Sequence, residues 1–268
     1  MKHLFFLSLI FILSSCGAPS DLESAGETGD EVSQATQEGD VQTEWVNFGD
    51  EHRGYLVRPG QDGPFPGVVM IHEWWGLNEQ IQGMARNLAA EGYVVLAVDL
   101  YNGTVASTPQ EAGQFSTRIR ENVPEAVEHM KNAASFLRES DFVLENAIAS
   151  IGWCFGGGMS MQLSLNENLA ATVIYYGALE TDAERLSTIQ WPVLGIFADQ
   201  DTVIPLDSVH QFEAALNQLR VENEIYIYEG VGHAFANPSN PGHDPEKTED
   251  AWEKTIAFLD RTLKQTGG

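Results

Sequence analysis

The sequence predicts an α/β domain with a mostly parallel central sheet and helices on both faces. Three observations lead there. Short apolar runs recur without polar alternation, as in strands buried on both faces. Stretches with apolar residues at helical spacing lie between them. Glycine or proline stands at many of the junctions. Strands alternating with helices make a layered α/β sheet, and right-handed crossovers join its parallel neighbours.

The elements follow in order. VQTEWVNF (41–48) and HRGYLVRP (52–59), separated by GDE, read as an antiparallel pair. GVVMIHE (67–73) is a continuous apolar run and therefore a buried strand. NEQIQGMARNLAAEG (78–92) has helical periodicity and ends in glycine. YVVLAVDLY (93–101) is the next buried strand. ENVPEAVEHMKNAASFLRES (121–140) is a helix entered near Pro124. AIASIGW (147–153), AATVIYYG (170–177) and WPVLGIFAD (191–199) are strands separated by helical stretches. LDSVHQFEAALNQLR (206–220) is a helix, NEIYIYEG (223–230) a strand, and EKTEDAWEKTIAFLDRTLK (246–264) a final amphipathic helix. No internal repeat interrupts this order.

Ahead of the domain the composition differs. Lys2 and His3 precede an apolar run from Leu4 to Leu13, too short to span a bilayer, followed by small residues. Residues 1–15 therefore read as an export signal, and Leu13-Ser14-Ser15-Cys16 resembles the bacterial lipobox, in which the cysteine becomes the lipid-carrying first mature residue. Residues 16–41 are small and acidic with almost nothing apolar, the composition of a disordered, self-repelling tether. The folded domain is expected over 42–268, and the protein is expected to be exported and lipid-anchored at Cys16 in a bacterial cell envelope. Of the two cysteines, Cys16 and Cys154, only Cys154 then keeps a thiol, so no intramolecular disulfide forms. The net charge of −25, from 14 Lys and Arg against 39 Asp and Glu, argues against nucleic acid and anionic lipid as partners of the folded surface.

In such sheets the chemistry gathers at the carboxyl ends of the strands. The run ending at Gly152 delivers Gly152-Trp153-Cys154-Phe155-Gly156, the form G-x-nucleophile-x-G. A sharp strand-to-helix turn needs tiny residues two before and two after the nucleophile. The helix that follows aims its positive end at the thiol. The strand 191–199 ends in Asp199-Gln200-Asp201-Thr202-Val203-Ile204-Pro205, where Asp201, with Asp199 as second candidate, is placed to orient a histidine. The last strand leads to His233. His3 lies in the signal, His52 near the first strand, and His129 and His210 on helices; His243 lies in NPSNPGHDPEK, a loop able to cover the site. His72-Glu73-Trp74-Trp75-Gly76 follows the first buried strand, where the Trp74 N–H joins that of Phe155 as an oxyanion donor. The zinc-protease pattern H-E-x-x-H fails because Gly76 holds its fifth position, and no His/Cys cluster of metal-ligand spacing exists. No metal or cofactor is expected.

With IHEWWGLN, AVDLY, GWCFGGG, DQDTVIP and GHAF in this order from about Gly67 to the last helix, the chain resembles the dienelactone hydrolases, α/β-hydrolases with a cysteine nucleophile. The resemblance implies an α/β-hydrolase fold, with Cys154 as nucleophile, Asp201 as acid and His233 as base. It also implies a Glu73 that contacts the resting thiol and helps form the thiolate when substrate arrives. It implies an ester- or lactone-cleaving enzyme working through a thioester acyl-enzyme on a small-molecule substrate. Family members acting on dienelactone hold its carboxylate with arginines. Here one such position is Asn237, and Arg118 or Arg120 stands for the other. Trp74, Trp75, Trp153, Phe155 and Tyr101 are expected around an apolar pocket. The alternatives are a lipoprotein that binds a ligand without catalysis and a redox-sensing thiol, which needs neither Asp201 nor His233.

Overall fold

The computed structural model describes residues 41–49 and 52–264. The signal at 1–15, Cys16 and the acidic tether lie outside the described residues, up to the last tether residue, Val41. An eight-stranded sheet forms the centre, with spatial order β1-β2-β4-β3-β5-β6-β7-β8. Its strands are β1 Val41–Phe48, β2 His52–Pro59, β3 Phe65–Ile71, β4 Val94–Val98, β5 Val143–Trp153, β6 Ala171–Tyr175, β7 Val193–Ala198 and β8 Asn223–Tyr228. β1 pairs antiparallel with β2, and β2 with β4; every later pairing is parallel.

Side chains alternate across the strands and feed two cores. Val68 and Met70 of β3 pack toward α1 (Glu79–Ala90) and α7 (Pro245–Leu259). Val69 and Ile71 pack on the opposite face toward α3 (Val123–Arg138), α4 (Phe155–Ser164) and α6 (Leu206–Leu219). β3 and β4 bury nearly every residue, which is why they lack the polar alternation of one-sided strands. Ile81, Ala85, Leu88 and Ala89 form the buried stripe of α1, and Asn78 caps its start by accepting from the Ile81 N–H. Burying a side chain such as Leu88 contributes about 1.5–3 kcal/mol.

Two elements differ from the sequence expectation. A helix, α2 (Pro109–Glu121), fills the stretch before α3; Thr108 caps it, and Pro109 sits where a missing N–H costs nothing. β5 begins at Val143, earlier than its apolar run, because Phe65 pairs with Val143 at the strand's start. A short helix, α5 (Ala183–Leu186), and a π-helical turn at Asp260–Lys264 complete the described residues.

Candidate active site

β5 ends at Trp153, and α4 begins at Phe155, leaving one residue for the turn. That residue, Cys154, has φ 55° and ψ −116°. A side chain held there stores strain of about 1–3 kcal/mol, and the surroundings must hold it in place. They do: the Cys154 N–H donates to the Tyr175 carbonyl at 3.0 Å, and its own carbonyl accepts from Gly158 at 3.2 Å. The flanking glycines follow from space. A Cβ on Gly152 would fall 2.1 Å from the Gly156 oxygen, and one on Gly156 2.3 Å from the Ile71 oxygen. β5, α4 and the end of β3 thus meet backbone to backbone, and the thiol projects beyond them.

The ends of β7 and β8 bring the other groups. His233 Nε2 lies 3.1 Å from Cys154 Sγ, and its Nδ1 lies 2.8 Å from Asp201 Oδ2. The other Asp201 oxygen accepts the backbone N–H groups of Val203 and Ile204 at 2.7 and 2.9 Å. Asp199 accepts from Gly230 at 2.8 Å, so it braces the turn after β8 and leaves the imidazole to Asp201. Burial opposes ionisation of Asp201, but the His233 hydrogen bond and the two N–H groups outweigh it and hold the carboxyl below its usual range. Burial likewise works against the imidazolium of His233. Its hydrogen bonds to Asp201 and Cys154, and the Asp201 charge, prevail and hold it up at about 10. The arrangement favours a protonated imidazole held by the Asp201 carboxylate, with its Nε2 turned to the thiol.

Glu73 and Trp74 follow β3, beside this chain of groups. Glu73 is 4% exposed. Its Oε2 accepts from the Asn237 amide, and its Oε1 is buried without a hydrogen-bond partner. Burial pushes the carboxyl up to about 7, and the Asn237 bond and the His233 charge pull it only partly back. The resemblance implies a contact between Glu73 and the resting thiol. Here the thiol has His233, and Glu73 has Asn237 instead. Phe155 carries the first N–H of α4, which has no acceptor within the helix by position, and Trp74 lies in the loop after β3.

A cavity of about 550 Å³ opens over these groups, with Trp74, Trp75, Val203 and Pro241 on its apolar walls and Arg120 and Asn237 among its polar ones. The loop ahead of α7 does border it, through Ser239, Asn240 and Pro241. Four expected lining residues are elsewhere: Trp153, Tyr101, Arg118 and Phe155. Trp153 is 2% exposed on the α1/α7 side, its ring 5.3 Å from Tyr175, because its side chain leaves β5 toward the opposite sheet face. Tyr101 is buried behind the loop and donates its hydroxyl to the Trp74 carbonyl at 3.2 Å. Arg118 faces a separate cavity with Tyr101 and His129. Residues two apart on a helix point about 200° apart, so Arg120 of α2 takes the side facing the thiol. The Phe155 ring is buried, with the Arg120 guanidinium 5.4 Å above it.

Two contributors gave no sequence signal. The Tyr176 ring stands edge-on to His233 at 5.3 Å from a strained φ of 35°. The Asn240 amide donates to the carbonyls of His233 and Ala234 at 2.9 and 3.1 Å, fixing the histidine loop. Among the described residues, no group of three or more His, Cys, Asp or Glu side chains is placed to hold a metal.

The same order of elements occurs in known proteins. The chain is 32% identical over 227 residues to "Protein usf" of Aquifex pyrophilus, covering 82% of this chain and 97% of that protein. It is 29% identical to a "Putative carboxymethylenebutenolidase" of Aquifex aeolicus, over 82% of this chain and 98% of the other. The fold matches the crystal structure of a "Putative Dienelactone Hydrolase" from Klebsiella pneumoniae with a TM-score of 0.72 at 24% identity, covering 82% of this chain and 98% of that one. The fold is that of the α/β-hydrolases. Residues 52–263 match the model of the dienelactone hydrolase family, from β2 to the last helical turn, and the chain therefore belongs to that family.

Proposed function

We propose that the protein hydrolyses a carboxylic ester or lactone through Cys154, His233 and Asp201, as the carboxymethylenebutenolidase name of its relative suggests. The observation that carries this reading is the continuous hydrogen-bonded line from Asp201 Oδ2 through His233 to Cys154 Sγ at the floor of the cavity. The Cys154 thiolate attacks the carbonyl carbon, and the N–H groups of Phe155 and Trp74 receive the oxyanion. Collapse expels the alkoxide, which takes the Nε2 proton of His233. In a lactone this oxygen stays tethered as the new hydroxyl. Neutral His233 then takes a proton from water, and the resulting hydroxide attacks the thioester. The acid leaves, and the thiolate–imidazolium pair is restored. Arg120 is the cation within reach of a substrate carboxylate, in place of Arg118. Glu73 can approach the thiol only by leaving Asn237, so its part in activation depends on substrate displacing that bond.

The test is to trap the intermediate. A slowly released p-nitrophenyl ester should add one acyl group to Cys154, seen by mass spectrometry, and neutral hydroxylamine should remove it. Cys154→Ala should give neither adduct nor turnover. Binding with no turnover by the wild type would favour the ligand-binding alternative.

We further propose that Cys16 carries lipid and tethers the domain through residues 17–41 to a bacterial envelope membrane. The support is the basic, apolar, small-residue order that precedes it. Radiolabelled palmitate should enter the wild type and be absent from Cys16→Ser; label in the variant would refute the anchor.

A further inference from the structure

His72 has no role in the reaction just proposed, yet it is fully buried beside the groups that carry it. Its two ring nitrogens are both engaged. Nδ1 lies 2.6 Å from the Glu73 carbonyl oxygen, and Nε2 lies 3.3 Å from the Leu100 N–H at the end of β4. A carbonyl only accepts and an amide N–H only donates. One tautomer satisfies both, with the proton on Nδ1. The Tyr101 ring meets the imidazole edge-on at 4.6 Å, and the Phe155 ring stacks on it at 6.0 Å.

The Glu73 carbonyl and the Trp74 N–H belong to the same peptide unit. That unit is planar and trans, so its C=O and N–H point in opposite directions. Fixing the oxygen therefore aims the N–H. The Gly76 N–H also holds this oxygen, at 3.1 Å, but from within the same turn. The shorter bond comes from His72, anchored to β4 through Leu100. The Tyr101 hydroxyl holds the next carbonyl, that of Trp74. Two donors on one carbonyl also polarise the peptide and strengthen its N–H as a donor.

We propose that His72 is a positioning residue that aims the Trp74 N–H at the developing oxyanion by holding the carbonyl of the same peptide with Nδ1. The proposal rests on the oxyanion role given to Trp74 above. It concerns carbonyl chemistry alone and leaves the thiol–imidazole pair untouched.

Three variants separate this from a general structural role. His72→Asn places an amide N–H near the position of Nδ1 but cannot reach Leu100. His72→Gln reaches toward the position of Nε2 but misses the Glu73 carbonyl. His72→Phe fills the space with neither bond. The readouts are kcat and KM on p-nitrophenyl acetate and the rate of Cys154 alkylation by iodoacetamide, a displacement that develops no oxyanion. Because losing an oxyanion donor outright costs about 10²–10³ in kcat, misaiming one in H72F and H72Q should cost about 10- to 100-fold, with KM and alkylation changed by no more than about threefold. H72N should recover most of kcat despite leaving the Leu100 N–H unpartnered. The proposal is overturned if H72F keeps the wild-type kcat, if alkylation falls in parallel with kcat, or if H72N is as slow as H72Q. If H72F does not fold, the comparison of H72N with H72Q decides. Absence of ester turnover in the wild type would instead remove the hydrolase reading itself.

Discussion

Asp201→Asn should lower kcat/KM on a p-nitrophenyl ester by about 10³- to 10⁴-fold, the scale on which a wrongly fixed imidazole tautomer acts. The hydrogen-bond directions at Asp201 give the reason. One oxygen accepts from Val203 and Ile204, and only an oxygen can do so. The amide introduced by D201N must keep its oxygen there and turn its nitrogen to His233 Nδ1. That nitrogen donates, so the ring proton moves to Nε2, facing the thiol. The imidazole then cannot accept the thiol proton. The imidazolium loses its negative partner as well. In the wild type His233 is held up at about 10, so the alkaline limb of kcat/KM should lie near pH 10; in D201N it should move to lower pH. Stability carries the same sign. A folded value above the unfolded value of 6.5 stabilises fully below about pH 6.5, and the gain is lost as pH rises through about 10. D201N should shrink that loss. A pH series of kcat/KM and of urea denaturation checks both; an unmoved alkaline limb would contradict the role given to Asp201.

The sequence made the backbone of the site legible and much of its lining illegible. Gly152 and Gly156 could be read because their spacing answers to local sterics: the turn at Cys154 closes only if both lack a Cβ. Asp201 and His233 could be read because each follows an apolar run in the order that the sheet then uses. The lining follows other rules. Trp153 adjoins the nucleophile in sequence, but strand alternation sends its ring to the far core. Arg118 and Arg120 look equivalent until the helix phase and the position of α2 are known. Asn237 stood out as the place of a family arginine, and its pairing with Glu73 requires the loop after β8 to fold back onto the loop after β3. Residues 164 positions apart leave no local trace of such a contact. Tyr176 and Asn240 act through ring packing and carbonyl contacts that no motif encodes.

Glu73→Gln should change how stability depends on pH between about pH 4.5 and 7. The buried carboxyl of Glu73 is pushed up from 4.5 to about 7. The folded state therefore holds this proton more tightly than the unfolded state between those values. Stability must fall as pH rises through that window. A difference of roughly 2.5 pH units corresponds to about 3 kcal/mol, present in full below about pH 4.5 and gone above about pH 7. The chain carries 39 carboxylic side chains, and other groups also titrate in this range. Those contributions are common to wild type and E73Q and cancel in the difference. The substituted amide can still accept from Asn237, while its nitrogen takes the place of the unpartnered Oε1. That orphan donor costs about 1–3 kcal/mol at every pH, so it offsets the curve without tilting it. Urea denaturation of both proteins from pH 4 to 8 should show E73Q gaining about 3 kcal/mol on the wild type as pH rises. A constant difference across the range would mean that Glu73 ionises at an ordinary value. Burial beside Asn237 alone would then not be enough to keep a proton on the carboxyl.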